Sequence, residues 1–559
     1  MRTVLLILKK DLRHLWVLAI LGVLFSFLST LGWYWDLWPR SSGMLVFVVS
    51  QIAPVVVLFV LSVAIVQSDP PVGDRAFWRT RPISPGLLLS AKLLLLFLVF
   101  AVPSLAVNAY LAVSLDTPLR VALGMVIEST GMIAVESLVF AMIGSVTRSM
   151  MQAVAATLAA FLVVVAATVL VPLPLFFAPW RMDLPDHAAR MASIGLFSGL
   201  AAIGLVVHQY ATRRLARTLV LGAVLIPAVL ACASHWPLSI PMPQAASELQ
   251  AKPGTSDSVQ VMLIPPVVTW SVGYMNDPAT GRSVRSHTMA LNAALRSIPE
   301  GRIIQIESIS SAMRFGDAQP LPLEQIGREF WPYWSSVAQA TAVCRQLGLQ
   351  PPALPADAVK QPRLRLFNVP DETAVAHKGE KGTLTATLKL YELQFRDLAR
   401  MPALSGSRWT HDGQMWRIRR MAIEQGKVVA TLQHLRATSV LITEGAARPD
   451  SRPDQYRFAL ALINRSRGEF ALGYHSWSSM DAPQWTIDIN TRNAEFTEFW
   501  KMGGSPIAVP TDGSWLEGAE LVILAAEPVG YFDKQVVLRD FEIPQVADRP
   551  EADAPPYWQ

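Results

Sequence analysis

The chain has 559 residues, of which 52% are hydrophobic and only 16% charged, and its mean hydropathy is +0.34. That profile is typical of a membrane protein with a soluble part attached. The formal net charge of +5 arises in residues 1–235, which hold 16 Lys and Arg against 9 Asp and Glu, whereas the remainder holds 32 against 34. Positive charge in a membrane region sets topology, so the composition argues against nucleic acid as a partner.

The number and positions of the cysteines argue against a disulfide and against a metal site built from cysteines. Cys232 lies in an apolar run and Cys344 in the soluble part, so we expect neither an intrachain disulfide nor a cysteine metal framework. The N-terminus does not resemble a cleavable signal peptide, because the basic stretch KKDLR follows TVLLIL. We expect no cofactor and no metal in this chain.

Long apolar runs predict the membrane topology, since a spanning helix needs about 20 apolar residues. The sequence predicts seven spans, at residues 15–33, 44–66, 87–115, 121–146, 152–174, 192–210 and 219–233. With the N-terminus inside, the inner segments carry twelve Lys and Arg and the outer loops four, as the positive-inside rule requires. An odd number of spans then places residues 236–559 outside the cytoplasm.

A short basic and aromatic segment separates the second and third predicted spans. It has the sequence DRAFWRTRPISPGLLLSAK, residues 74–92. Pro70, Pro71 and Gly73 end the preceding helix, and DRAFWRT has room for one or two helical turns before Pro82. One interpretation is a topogenic inner loop whose aromatic residues lie at the membrane interface. The other is a docking surface, because an aromatic pair flanked by Arg suits an interface hot spot.

The order of features around this segment resembles type-2 ABC exporter permeases. The resemblance rests on DPPVGDRAFWRTRPISPGLLLSAKLLLL, with an acidic start, a short helix, a Pro-Ile-Ser step and a Leu-rich run opened by Lys. It also rests on LLILKKDLRHLWVLAIL, which is similar to the family's amphipathic elbow helix, with Leu5, Leu8 and Leu12 on one face. The resemblance covers roughly residues 1–215. It departs from the family in its seventh span, its long outer domain and its Arg-rich loop.

The resemblance implies a coupling loop that docks on a separate ATPase subunit. The chain itself has no G-x-x-x-x-G-K-[ST] motif, so we expect it not to be an enzyme and ATP hydrolysis to occur in the partner. The residues assigned to the coupling loop are Arg75, Phe77, Trp78, Arg79, Thr80, Arg81 and Pro82. The resemblance further implies a homodimer or heterodimer of permease subunits.

Polar residues inside the predicted spans are a second candidate site. Glu128 and Glu136 lie in the fourth span, about 80° apart on overlapping helix faces, with Asn108 and Gln51 as candidate partners in neighbouring spans. Carboxylates in a bilayer usually face a bundle interior or a wet cavity. They either mark a substrate path or subunit interface, or they hold helices together by hydrogen bonds.

The remaining chain predicts a mainly β domain. In LTATLKLYEL, residues Leu384, Ala386, Leu388 and Leu390 alternate with polar positions, and turn signals such as Asp412-Gly413 recur at short intervals. We expect a β-sandwich-like fold in one or two lobes, with a membrane domain at residues 1–235, a first lobe with a helix and a Pro-rich linker at 236–361, and a second at 362–559. HDG at 411–413 is better explained as a hairpin turn than as a catalytic base, and no hydrolase motif is present.

Together these features predict a permease-like subunit of an ABC-type transporter in a bacterial inner membrane, with a separate ATPase and an unknown substrate. The alternative is a membrane-anchored sensor or scaffold protein with an extracytoplasmic β-rich binding domain.

Overall fold

The computed structural model combines a helical N-terminal region with a mainly β C-terminal region. The residues it describes are 2–35, 52–69, 84–159, 184–235, 258–276, 283–299, 301–316, 319–323, 336–352, 363–370, 376–377, 379–437, 458–477 and 487–542. The helices of the N-terminal region are α1 (Arg2–Tyr34), α2 (Ala53–Gln67), α3 (Pro85–Leu96), α4 (Val102–Ser114), α5 (Leu119–Val146), α6 (Met150–Ala159), α7 (Leu184–Thr212) and α8 (Leu215–His235).

Four helical stretches among the described residues are long and apolar enough to cross a membrane. They are Thr3–Leu28, Pro85–Ser114, Leu119–Val146 and Ser193–Thr212, which match the first, third, fourth and sixth predicted spans. The count of seven is not supported. At the other three places the apolar helical stretches found among the described residues are shorter, at Ala53–Gln67, Met150–Ala159 and, within α8, Leu215–Leu225.

Helix α1 bends where the elbow helix was predicted to meet the first span. Leu15 has non-helical dihedral angles (φ −111°, ψ 15°), which divide the helix into two segments. The short first segment packs on the bundle through Ile7 and Asp11, which are both buried. Of the predicted apolar face, Leu8 packs partly against the bundle, whereas Leu5 and Leu12 are exposed. The chain therefore places an aspartate against the bundle and leaves leucines outward.

The described strands form two sheets. The strands are β1 (Gln260–Asn276), β2 (Ser283–Arg296), β3 (Arg302–Phe315), β4 (Leu321–Leu323), β5 (Arg363–Pro370), β6 (Lys381–Pro402), β7 (Arg408–His411), β8 (Gln414–Glu424), β9 (Lys427–Ala437), β10 (Phe458–Asn464), β11 (Glu469–Trp477), β12 (Ile487–Phe496), β13 (Phe499–Lys501), β14 (Pro506–Ile507) and β15 (Glu520–Glu542). One sheet has the order β1-β2-β5. The other has twelve strands, in the order β4-β3-β6-β15-β10-β11-β12-β9-β8-β7, with β13 and β14 attached at β11.

Most of the local β predictions are confirmed. The alternation predicted for residues 384–390 is observed, since its four apolar side chains are buried on one face of β6. Asp412 and Gly413 form the β7–β8 turn with positive φ, and Trp409 pairs with Trp416 across that hairpin. Residues 520–542 form the single long strand β15. It continues past Pro528 because a register shift between Pro528 and Gly530 absorbs the interruption in its pairing with β6.

The twelve-stranded sheet curls around its own core, where the sequence led us to expect a β-sandwich-like arrangement. Strands far apart in the sheet order meet in one apolar cluster, which includes Met401 of β6, Trp416 of β8 and Leu460 of β10. Helix α9 (Ser336–Gln346) packs on the opposite face, where burial raises the pKa of the Cys344 thiol to about 12. The lobe boundary at 361 stays a prediction, although β2 pairs with β5 and β3 with β6 across it.

The β domain docks on one end of the helical bundle through the β7–β8 hairpin. The backbone N–H of Gly413 donates to the carbonyl of Leu115 at 2.9 Å, and Arg417 donates to the carbonyl of Tyr34 at 2.7 Å. Apolar residues of both parts share one buried cluster, Leu31, Tyr34, Val107, Leu111, Leu115, Met125, Met415, Leu435 and Ala437. Since Tyr34 ends α1, the β domain lies at the opposite end of α1 from the N-terminus.

This docking predicts different effects for two glycines in similar turns. Gly413 and Gly426 both have positive φ, but a side chain at Gly413 would face Thr117 and Ala437, whereas no atom of the described residues lies within 4 Å of a Cβ at Gly426. We expect Gly413→Leu to destabilise the protein by about 1–3 kcal/mol more than Gly426→Leu, because only the former crowds a packed contact. Apparent melting temperatures in one detergent measure this difference. Equal shifts would show that the hairpin contact does not contribute to stability.

Candidate functional site

A cluster of buried charges lies at the N-terminal end of α1. The Nζ atom of Lys92 is 2.6 Å from Oδ2 of Asp11 and 2.9 Å from Oδ2 of Asp69. Lys92 is 1% exposed and Asp11 0%. Lys10 completes the cluster at 2.7 Å from Asp69 and 3.4 Å from Asp11, and Ser68 also binds Asp11 and Lys92. Two lysines and two aspartates make the cluster electrically neutral.

Three separate elements supply these charges. Asp11 belongs to the segment of α1 before the bend, Asp69 follows the end of α2, and Lys92 lies within α3. Helix α3 begins at Pro85, with the Ser84 hydroxyl accepting the N–H of Leu87 as an N-cap. That start places Lys92 on the buried stripe of α3, which also contains Leu88, Ala91, Leu95 and Leu96. The cluster therefore joins α1, α2 and α3 at one end of the bundle.

The charges in the cluster depend on one another. Burial alone would raise the pKa of Asp69, but Lys92 and Lys10 outweigh it and hold that pKa below its usual value. A lowered pKa stabilises the folded protein at any pH above the ordinary value for aspartate, and this contribution is lost as the pH falls through the lowered value. Removing one partner of a buried pair leaves an uncompensated charge, which typically costs about 3–5 kcal/mol.

A second set of contacts extends this junction to α5. The Nε2 of Gln67 donates to the Thr147 hydroxyl at 2.9 Å, just beyond the end of α5. Beside it Gly144 lies so close to α2 that a Cβ would be 3.1 Å from the Cα of Val63. The ends of α2 and α5 are thus held together next to the charge cluster.

A polar cavity lies further along the bundle, between α1, α2, α4 and α5. Its volume is about 100 Å³, and two of the predicted intramembrane residues, Asn108 and Glu136, line it together. Ser26 and Ser104 supply hydroxyl groups, and the other lining residues are Gly22, Pro54, Val55, Leu58, Phe100, Val107 and Ile133. The Nδ2 of Asn108 donates to the carbonyl of Ser104 at 2.9 Å.

A π-helical turn shapes one wall of this cavity. Phe97–Ala101 forms the turn, in which the N–H of Val102 bonds to the carbonyl of Phe97. Pro103 follows, and because proline lacks an N–H and its ring crowds the preceding turn, a regular α-helix is disfavoured there. The turn brings Phe100 to α1 at Gly22, where an added Cβ would be 3.2 Å from the ring. Glycine at this position permits that approach.

The structure brings together only part of the predicted sites. Asn108 and Glu136 share the cavity, whereas Glu128 is not among its lining residues. Gln51 and the coupling-loop residues Arg75, Phe77, Trp78, Arg79, Thr80, Arg81 and Pro82 lie outside the described residues.

Sequence reasoning missed the charge cluster. Lys92 is counted among the inner charges and as the residue that opens the third predicted span, and neither Asp11 nor Asp69 is predicted as its partner. The signal was a single lysine inside LLLSAKLLLL, since a charge in an apolar run requires a buried partner. The identity of that partner depends on how three helices pack.

Comparison with protein-family models, curated proteins and solved structures finds no match for this chain. The functional assignment therefore depends on the geometry of the two sites and on the sequence pattern around them.

The cluster predicts unequal effects for its two lysines. Lys92→Met should destabilise the protein by about 3–5 kcal/mol, because two buried aspartates lose their shared cation. Lys10→Met should lower stability by less than about 1 kcal/mol, since the Lys10 side chain is 54% exposed. Thermal unfolding in a fixed detergent measures both.

Adding Asp11→Asn to Lys92→Met should recover part of the loss, because Lys10 and Asp69 remain as a balanced pair. A double variant that melts no higher than Lys92→Met alone would contradict the charge-balance explanation.

Proposed function

We propose that this protein is the permease-like subunit of an ABC-type transporter, driven by a separate ATPase subunit. The observation that carries the proposal is the charge cluster at the two ends of the segment assigned to ATPase docking. Asp69 directly precedes residues 70–83, and Lys92 lies in the helix that follows them. Lys92 binds both Asp69 and Asp11 of α1, and Lys10 bridges the same two aspartates.

Such a cluster suits the transmission of force. A partner that moves segment 70–83 would pull on the end of α2 and the start of α3 together, because Asp69 and Lys92 form an ion pair. Through Asp11 the same movement reaches α1, and through Gln67 it reaches the end of α5. In this proposal ATP binding brings two ATPase subunits together, and the Arg75–Pro82 loop converts their approach into rocking of the bundle.

The far end of the bundle supports a transport role for the β domain. The helices that would rock, α1 and α5, both contribute to the apolar cluster under the β7–β8 hairpin, through Tyr34 and Met125. Movement at the charge cluster therefore has a packed route to the β domain. We propose that this domain contacts the substrate or an envelope component on the side opposite to the ATPase.

The finer topology belongs to the same proposal. We propose seven spans, a cytoplasmic N-terminus and an extracytoplasmic C-terminal domain, in a bacterial inner membrane. Opposite placement of the charge cluster and the β domain along α1 supports this arrangement, as does the excess of Lys and Arg in the predicted inner segments. A dimer of permease subunits would pair with two ATPase subunits.

One feature favours a second candidate, a membrane-anchored sensor or scaffold. The β domain is packed directly on the helices rather than joined to them by a linker alone, so a ligand bound there has a physical path into the membrane region. This function needs no motor at segment 70–83.

Co-purification from native membranes distinguishes the permease function from the sensor or scaffold function. We expect an ATPase with a G-x-x-x-x-G-K-[ST] motif, identified by mass spectrometry, to accompany the tagged wild-type protein and to be lost with Phe77→Ala/Trp78→Ala/Arg79→Ala. The matched control Trp35→Ala/Arg120→Ala changes one aromatic and one basic residue, both exposed, outside segment 70–83, and should retain the ATPase.

Each other outcome is decisive. An ATPase that remains with the triple variant would move the docking site away from residues 75–82. No ATPase with the wild type would refute the permease function and leave the sensor or scaffold as the better proposal.

A further inference from the structure

We propose that the cavity lined by Glu136 binds the charged headgroup of a cationic amphiphile, such as a hydrophobic amine or quaternary ammonium compound. As the assignment of a transport substrate this inference rests on the proposed permease function. As the assignment of a binding site it stands on the cavity alone.

The charge of the cavity selects a cation. Glu136 lies within α5, far from either end, and is half-buried. None of the described residues that line the cavity is basic, and no hydrogen bond or ion pair joins Glu136 to another described residue. A carboxylate at membrane depth is costly unless it is protonated or meets a positive charge. A bound ammonium group supplies that charge.

The remaining lining groups suit an organic cation better than a metal ion. Divalent cations bound through oxygen require about six or more ligands, whereas the cavity offers one carboxylate, one amide and two hydroxyl groups. Phe100 adds an aromatic ring, and aromatic faces attract alkylammonium groups. A volume of about 100 Å³ holds a few water molecules or one small headgroup.

The opening of the cavity explains why the ligand would carry an apolar tail. Val55 lines the cavity and is also 48% exposed, so the cavity reaches the apolar surface of the bundle. Ile52, which directly precedes α2, and Val56 of α2 are similarly exposed. A headgroup at Glu136 would therefore leave its alkyl chain along α2, in contact with lipid.

Equilibrium dialysis of radiolabelled dodecyltrimethylammonium tests the inference. The full-length protein is placed in phosphatidylcholine nanodiscs, and empty nanodiscs correct for partition into lipid. We expect saturable binding to the wild type and at least about a tenfold loss of affinity in Glu136→Gln, which removes the charge and keeps the shape. Glu128→Gln is the control, because it removes the other carboxylate of α5, which does not line the cavity. It should change the affinity less than about twofold.

A second variant covers the case in which Glu136→Gln fails to fold. Ile133→Trp keeps the carboxylate but fills the cavity, and it should also abolish saturable binding. Binding equal to that of empty nanodiscs, equal affinities of Glu136→Gln and the wild type, or equal competition by dodecyl sulfate would each overturn the inference.

The dialysis requires no ATPase, so the two proposals fail separately. Loss of probe binding with a co-purifying ATPase would remove only the ligand assignment. Binding that depends on Glu136 without any ATPase would retain the site and refute its role in ATP-driven transport.

Discussion

The ion pair between Lys92 and Asp11 is the constraint on which the rest of the bundle depends. A lysine buried to 1% exposure is tolerated only with nearby anions, so α1, α2 and α3 must meet where Asp11 and Asp69 can both reach it. Many combinations of apolar side chains could pack two helices against each other. A neutral cluster assembled from three elements fixes one register, and the apolar contacts around Leu61 and Leu88 form within that register.

The same bundle is constrained at its other end by the β domain. There the contacts are backbone hydrogen bonds and an apolar cluster rather than ion pairs. The N–H of Gly413 donates to the carbonyl of Leu115, and Tyr34 belongs to the apolar cluster that both parts share. Between the two ends lies the Glu136 cavity, shaped by the π turn and by the missing side chain at Gly22.

The sequence predicted the elements that have strong local patterns. Four of the seven spans, the buried face of residues 384–390 and the Asp412-Gly413 turn all agree with the structure. Each depends on hydrophobic length, a period-two alternation or a residue that tolerates positive φ, and these are properties of neighbouring residues. Strand β15 has no such local signal, because Pro528 interrupts its pairing and the strand continues across a register shift.

The sequence by itself therefore determined a membrane region and a mainly β region. It also identified Glu136 and Asn108 as polar residues at membrane depth, which the structure places on one cavity. Only the tertiary structure decided that Asp11 and Asp69 neutralise Lys92, that Glu128 lies apart from the cavity, and that the sheet curls around one core. These features depend on contacts between segments far apart in the chain, and no local pattern of apolar and polar residues specifies which distant segments meet.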